Sequence, residues 1–171
     1  DPMPGCPDFD TDRITPPDVS KDAFFQKPEI DFARIKGWTA QFVGGTGQFY
    51  LSKRQAIRGV PNARLEANAQ RTGRIILTPP APIIVDHPFD TVEAWVYGAY
   101  HEGVALKVNF SQPSGPAFSI SGGDEEYQPG GLIFSNWMLY RKRNPTRKIA
   151  LAGTTITSIE IGPLPPGNYL F

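Results

Sequence analysis

Few residues of this chain could carry out catalysis, and the usual catalytic spacings are missing. The sequence holds two histidines, His87 and His101, and one cysteine, Cys6. It has no G-x-S-x-G, no Walker phosphate loop and no H-E-x-x-H, the patterns of hydrolase nucleophiles, nucleotide sites and zinc peptidases. A single cysteine forms neither an internal disulfide nor a thiolate cluster. We therefore expect no catalytic residues and no metal site.

An acidic triplet near the start has part of the pattern of a calcium loop. Asp8, Asp10 and Asp12 have the alternate spacing with which an EF-hand begins. Residue 13 is Arg where that loop needs Gly, and Val19 stands where Glu would complete the ligand set. We interpret this run as a solvated acidic arm.

Two neighbouring segments combine aromatic and polar side chains in a pattern suited to ligand binding. If the strands 91–97 and 104–110 form a hairpin that pairs Trp95 with Lys107, one face of the hairpin is wholly apolar. Pairing Trp95 with Leu106 instead would place a carboxylate among core aliphatic residues, so we favour the first register. Its second face carries the five residues that we predict to bind a ligand: Glu93, Trp95, Tyr97, Lys107 and Asn109.

The elements that position these residues are short β-strands. Glycine and proline make up 35 of 171 residues, well above the roughly 12% of ordinary proteins, which argues against long helices. From residue 30 onward the apolar pattern has period two and is interrupted by Gly, Pro and Asn, which predicts an all-β, two-sheet sandwich or jelly roll. The candidate strands are Thr39–Val43, Gln48–Ser52, Arg64–Asn68, Arg74–Leu77, Ile83–Val85, Thr91–Tyr97, Val104–Phe110, Ala117–Ser121, Trp137–Lys142, Lys148–Leu151, Thr155–Ile161 and Tyr169–Phe171.

Composition divides the chain and restricts its partners. Residues 1–28 hold six prolines and six aspartates without apolar periodicity, which indicates an arm or linker before a sandwich domain at 29–171. The 17 basic and 17 acidic residues give no net charge, which argues against a nucleic-acid partner and a polybasic membrane anchor. No apolar run approaches the length of a membrane span.

Several stretches of the domain resemble strands of galactose-binding-like jelly-roll domains. Residues 82–85 (PIIV) and 89–98 (FDTVEAWVYG) resemble the central strands of this family, and residues 167–171 (GNYLF) resemble its closing strand. Such domains are typically carbohydrate-binding modules attached to secreted glycoside hydrolases and lyases. The resemblance implies a polysaccharide or oligosaccharide ligand, neighbouring domains in a larger chain, and an extracellular or periplasmic location.

The resemblance also bears on cofactors, because the closing strand of this family is often followed by an acidic residue that serves a structural calcium. The sequence given stops at Phe171, and Glu29 and Asp31 are the carboxylates near the domain start. A structural calcium therefore stays open, and no other cofactor is expected.

Three functions remain as hypotheses. The first is a non-catalytic glycan-binding or accessory module, in which sugar rings stack on the predicted aromatic face. The second is a polysaccharide-lyase-like enzyme that uses Tyr97, Tyr100, His101 and Lys107 near one strand end. The third is a structural or protein-interaction sandwich domain, recognisable by a large exposed apolar patch. Three further aromatic residues are expected to pack in the core: Trp38, Trp137 and Tyr140.

Overall fold

The structure is a computed structural model that describes residues 28–54, 56, 60–121 and 131–171, except for the side chains of 98–102, 131–136, 138 and 139. The described residues form antiparallel strands in two sheets and include no helix, which confirms the predicted all-β sandwich. The predicted arm lies outside the described residues except for Pro28. The strands are β1 (Thr39–Ser52), β2 (Asn62–Thr78), β3 (Ile83–Ile84), β4 (Thr91–Glu102), β5 (Ala105–Ser111), β6 (Phe118–Ser121), β7 (Gly131–Arg143), β8 (Thr155–Leu164) and β9 (Gly167–Leu170).

The larger sheet has seven strands and is built around β2. Its main order is β1-β2-β8-β5-β6, while β3 pairs with β8 and β9 pairs with β2. β2 is long enough to hold two partners on the same side: its first half pairs with β9 and its second half with β8. Beyond β9, the backbone of Phe171 exchanges two hydrogen bonds with Leu65, at 2.7 and 2.9 Å.

The β1–β2 pair is continuous where the sequence predicted breaks. The predicted strands 39–43 and 48–52 are a single strand, and the glycines between them lie at a register shift between Val43 and Gly45. At this bulge the two backbones approach so closely that a Cβ at Gly73 would overlap the carbonyl oxygen of Val43. The glycines therefore allow the strands to bend together and do not end them.

The smaller sheet consists of β4 and β7, and this pairing overturns the predicted hairpin. Trp95 pairs with Leu139 of β7, whereas Lys107 of β5 pairs with Glu160 of β8 in the larger sheet. β4 continues to residue 102, and Gly103, with a φ of 79°, lies between it and β5 in the other sheet. The predicted pairing of 91–97 with 104–110 was therefore wrong.

The core lies between the two sheets. From the larger sheet, residues such as Ile75, Val108 and Ile159 are at most 6% exposed. From the smaller sheet, the predicted apolar face of β4 packs against them through Val92, Ala94 and Val96. Tyr140 of β7 is buried in the same layer, as expected. Its hydroxyl donates to the backbone carbonyl of Leu106 at 2.9 Å, so one hydrogen bond joins the two sheets directly.

Candidate functional site

The outer face of β4 carries three of the five predicted ligand-binding residues. Glu93, Trp95 and Tyr97 alternate with the core-facing residues of this strand, so they share a face. Across the β4–β7 pair, Glu93 stands opposite Arg141 and Tyr97 stands opposite Trp137. We call these five residues the β4–β7 outer face.

Two side-chain contacts organise this face. Nε of Arg141 lies 2.7 Å from Oε1 of Glu93, which makes a short charge-assisted contact. The rings of Tyr97 and Trp137 meet edge to face, with centroids 6.1 Å apart and an interplanar angle of 69°. The face therefore has a polar end with both charge signs and an aromatic end.

A cleft of about 250 Å³ runs along β4. Every residue from 91 to 97 lines it, although alternate residues of a strand point to opposite faces. The cleft therefore touches side chains on both faces of the strand. The lining also includes buried core residues of the larger sheet, such as Leu77, Val108 and Ile159, so the cleft extends into the layer between the two sheets. Other apolar lining residues are Ile30, Phe32, Phe49, Leu65 and Phe171, and polar groups are added by Glu29, Asn62, His87 and Thr91.

Several carboxylates lie near His87 and Thr91, two residues that line the cleft. The Nδ1 atom of His87 lies 3.1 Å from Oδ1 of Asp86, and its Nε2 lies 3.6 Å from Oε1 of Glu29. Nearby, Asp90 accepts from the Thr91 hydroxyl and from Arg143, each at 2.8 Å. These two hydrogen bonds, that of Thr91 first, hold the pKa of Asp90 below its usual value. Among these carboxylates, only that of Glu29 belongs to the lining of the cleft, where it offers a hydrogen-bond acceptor.

The aromatic residues are more recessed than the sequence predicted. The exposed fraction of Tyr97 is only 5%, so it cannot act as an open platform, contrary to our expectation. Trp95 and Trp137 are half-buried. The side chains of Glu93 and Arg141 are 34% and 62% exposed. A ligand would therefore meet the polar pair at the surface and the tryptophan rings below it.

Lys107 and Asn109 lie on the opposite side of the sandwich. They belong to β5, whose core-facing residues alternate with them, so both point away from the core on the outer face of the larger sheet. There, Lys107 contacts Glu160, and Asn109 donates to Ser158. The five predicted residues therefore do not form one site, because β4 and β5 belong to different sheets. Their role in binding stays a prediction, now divided between two faces.

Two members of the acid–base group in the lyase hypothesis lie in different sheets. Tyr97 lies in the smaller sheet and Lys107 in the larger one. The side chains of Tyr100 and His101 lie outside the described residues. The described residues include no group of three or more His, Cys, Asp or Glu that could hold a metal ion, and the structural calcium stays a prediction. No helix of the described part is long and apolar enough to cross a membrane.

Sequence reasoning missed Trp137 and Arg141 as members of the face. Trp137 was expected in the core, and Arg141 was not among the five residues predicted to bind a ligand. The alternation of their strand could have shown that 137, 139 and 141 share a side. Nothing in the sequence states that this side continues the face of β4, about forty residues away.

Comparisons with known proteins show the fold. No protein-family model matches the sequence, and no curated protein matches it significantly. A structure from work on the promiscuous specificity of carbohydrate-binding modules from the β-sandwich superfamily matches 81% of this chain, with a TM-score of 0.55 and 12% identity. This chain spans 55% of that one, about half its length.

Two other solved structures also match 81% of this chain, each with a TM-score of 0.46. One is TmCBM61 in complex with β-1,4-galactotriose, at 15% identity and over 90% of that chain. The other is the enzymatically active domain of bacteriophage CBA120 tailspike protein 4, at 13% identity and over 19% of that chain. From the first comparison, together with the sheet topology, the chain has a β-sandwich fold like that of carbohydrate-binding modules.

Proposed function

We propose that this chain is a carbohydrate-binding module and that its ligand occupies the cleft along β4. The observation that carries the proposal is that the cleft is lined by two tryptophans, Trp95 and Trp137, and by Glu93, whose carboxylate is paired with Arg141. One face of a pyranose ring presents C–H groups that pack on aromatic rings. Its hydroxyls need the donors and acceptors that a guanidinium and a carboxylate provide.

The shape of the cleft supports a small ligand unit. Its volume of about 250 Å³ is just below the roughly 300–1,000 Å³ of most small-molecule pockets. This size suits a single sugar unit or the end of a saccharide chain, with further units extending over the exposed Glu93–Arg141 pair. The residues that line it belong largely to strands, so little ordering is needed on binding.

We further propose that the module is a non-catalytic accessory domain of a larger, secreted carbohydrate-active protein and has neighbouring domains. The resemblance of residues 82–85, 89–98 and 167–171 to galactose-binding-like domains supports this. The likeness in fold to a structure described as a carbohydrate-binding module also supports it.

A glycan array followed by fluorescence titration tests the binding proposal. The array identifies saccharides that the chain retains, and the titration then follows quenching of tryptophan emission by the best hit. We expect Trp95→Ala to weaken binding at least tenfold, because it removes a ring from the wall of the cleft. Glu93→Gln should weaken it less, because the amide still accepts a hydrogen bond.

Trp38→Phe is the matched control. Trp38 is half-buried and contacts Phe32 at 5.3 Å between ring centroids, but it does not line the cleft. It should keep wild-type affinity. If no saccharide binds, or if Trp38→Phe and Trp95→Ala lower affinity equally while both variants remain folded by circular dichroism, the cleft is not the binding site.

A further inference from the structure

The outer face of the larger sheet holds a compact charged group on the side of the sandwich away from the cleft. Glu160 of β8 lies between two cations: Nε of Arg74 is 3.1 Å from its Oε1, and Nζ of Lys107 is 3.0 Å from its Oε2. Its side chain is only 13% exposed, whereas Arg74 and Lys107 are 56% and 45% exposed. The cations therefore cover the carboxylate and present their own charge to solvent.

Neutral hydrogen bonds fix the position of this group. The amide nitrogen of Asn109 donates to Oε2 of Glu160 at 3.1 Å and to the Ser158 hydroxyl at 2.8 Å. The hydroxyl of Ser119 donates to Oδ1 of Asn109 at 2.7 Å. Burial raises the pKa of Glu160, but the hydrogen bonds from Asn109 and Lys107 and the nearby positive charges outweigh it. The net pKa is therefore lowered, and Glu160 is ionised at neutral pH.

The surface around this group is concave and carries more positive than negative charge. A depression of about 370 Å³ is lined by Arg74, Lys107 and Glu160, and by the backbone bend near Val43. A second depression meets it at Val43 and adds the exposed side chain of Arg71, together with Gln41 and Gln70. Glu160 is the only acidic residue that the structure describes in the lining of the two depressions, against three cations.

We propose that this basic depression is a second binding site, which takes the anionic group of an acidic saccharide, either a carboxylate or a sulfate ester. Guanidinium and ammonium groups bind such anions through charge-assisted hydrogen bonds. The side-chain amides of Gln41 and Gln70, which line the second depression, can donate to and accept from the hydroxyls of the sugar ring. In this site Lys107 would contact the anion, and Asn109 would hold Glu160 in position.

An acidic saccharide fits this surface better than a nucleic acid does. The linings of the two depressions include one aromatic residue among those that the structure describes, Phe42, and that side chain packs against the core. No ring is therefore available for base stacking, on which single-strand binding relies.

Isothermal titration calorimetry at low ionic strength tests this proposal with four probes. They are an oligogalacturonate, a sulfated galacto-oligosaccharide, a neutral galacto-oligosaccharide and a single-stranded oligonucleotide. We expect one of the two acidic saccharides to bind at least tenfold more tightly than the neutral one, with an affinity that falls as salt is added. Which of the two binds identifies the anion. Equal binding of acidic and neutral probes, or tighter binding of the oligonucleotide, would overturn the proposal.

Charge-removing variants locate the site. Arg74→Gln and Lys107→Gln should each weaken binding of the acidic saccharide about tenfold, the usual effect of losing one hydrogen bond to a charged group. Lys148→Gln removes an equal charge from an exposed residue outside both depressions and should leave affinity unchanged. A similar loss in all three variants would indicate unspecific charge attraction and refute the site. Trp95→Ala changes only the cleft, so it should leave the affinity of the basic depression for the acidic saccharide unchanged. Its effect on saccharide binding by the cleft therefore tests the proposed function separately from this proposal.

Discussion

The hydrogen bond between the two sheets can be tested by removing a single oxygen atom. Tyr140→Phe deletes the hydroxyl that donates to the Leu106 carbonyl at 2.9 Å and leaves the ring in place. Tyr140 is 5% exposed, so water does not readily replace the lost donor. Losing the hydrogen bond lowers the free energy of unfolding by about 0.5–1.5 kcal/mol. The Leu106 carbonyl is then buried with weaker partners, which raises the total loss to about 1–3 kcal/mol.

Tyr50→Phe is the matched control, because it removes the same group from a wetter site. The hydroxyl of Tyr50 donates to Oε1 of Glu66 at 2.9 Å, but the Glu66 side chain is 42% exposed and Arg64 also contacts it. Water can take the place of the lost donor there, so we expect the free energy of unfolding to change by less than about 0.5 kcal/mol. Urea unfolding followed by circular dichroism, with equal m-values in both variants, gives the two free energies. Equal losses, or a neutral Tyr140→Phe, would refute the argument.

The same residue predicts a dependence of stability on alkaline pH. Burial holds the pKa of Tyr140 well above its usual value of 10.0. Below pH 10 the phenol is neutral in the folded and the unfolded chain, so its contribution to stability is fully present. Above that pH the unfolded chain loses the proton first, and folding stability falls as pH rises. Wild-type protein should therefore lose stability above pH 10 more steeply than Tyr140→Phe, and parallel curves would contradict this.

Three further predictions concern the core, the bulge and the charged group. Ile75 is fully buried and Ile84 is 68% exposed, so in urea unfolding Ile75→Ala should cost about 2–5 kcal/mol and Ile84→Ala less than about 0.5 kcal/mol. Similar losses would mean that the core is misplaced. Gly73→Ala puts a methyl group against the Val43 carbonyl and should lower the melting temperature by a few degrees, equivalent to about 1–3 kcal/mol, whereas an unchanged melting temperature would refute the close approach. Because the pKa of Glu160 is lowered from 4.5, its contribution to stability is present above pH 4.5 and is lost as the pH falls further. Unfolding free energies measured over a pH series should therefore fall less steeply below pH 4.5 in Glu160→Gln than in the wild-type protein. The same slope in both proteins would argue against the ion pairs.

The sequence was sufficient to predict the fold class and the faces of β4. Glycine and proline content excluded long helices, and period-two alternation placed Val92, Ala94 and Val96 on the core side, where they pack. It was not sufficient to predict the strand partner. β4 can lie beside β5 in the same sheet, or it can face β5 across the core from the opposite sheet. Both arrangements bury the apolar face of β4 together with Leu106 and Val108. Alternation is identical in the two cases, so it cannot separate them.

The candidate site was predictable only where it lies within one strand. Glu93, Trp95 and Tyr97 share a face whatever strand is beside them, because residues two apart on a strand always do. Arg141 and Trp137 join them through a pairing between segments far apart in the chain. The burial of Tyr97 depends on tertiary packing, which local alternation does not report.

The division of β2 between two partners has a consequence for the order of folding. β1 and β2 pair across short separations, such as Gln48 with Glu66, whereas the Asn68–Asn168 pair with β9 is separated by 100 residues. Closing the longer loop costs about 1.5 kcal/mol more conformational entropy, since this cost grows with the logarithm of loop length. The β1–β2 hairpin should therefore form early, and β9 should add late. Until β9 adds, the first half of β2 keeps an open edge, which makes this strand the place where a partly folded chain could pair with another copy.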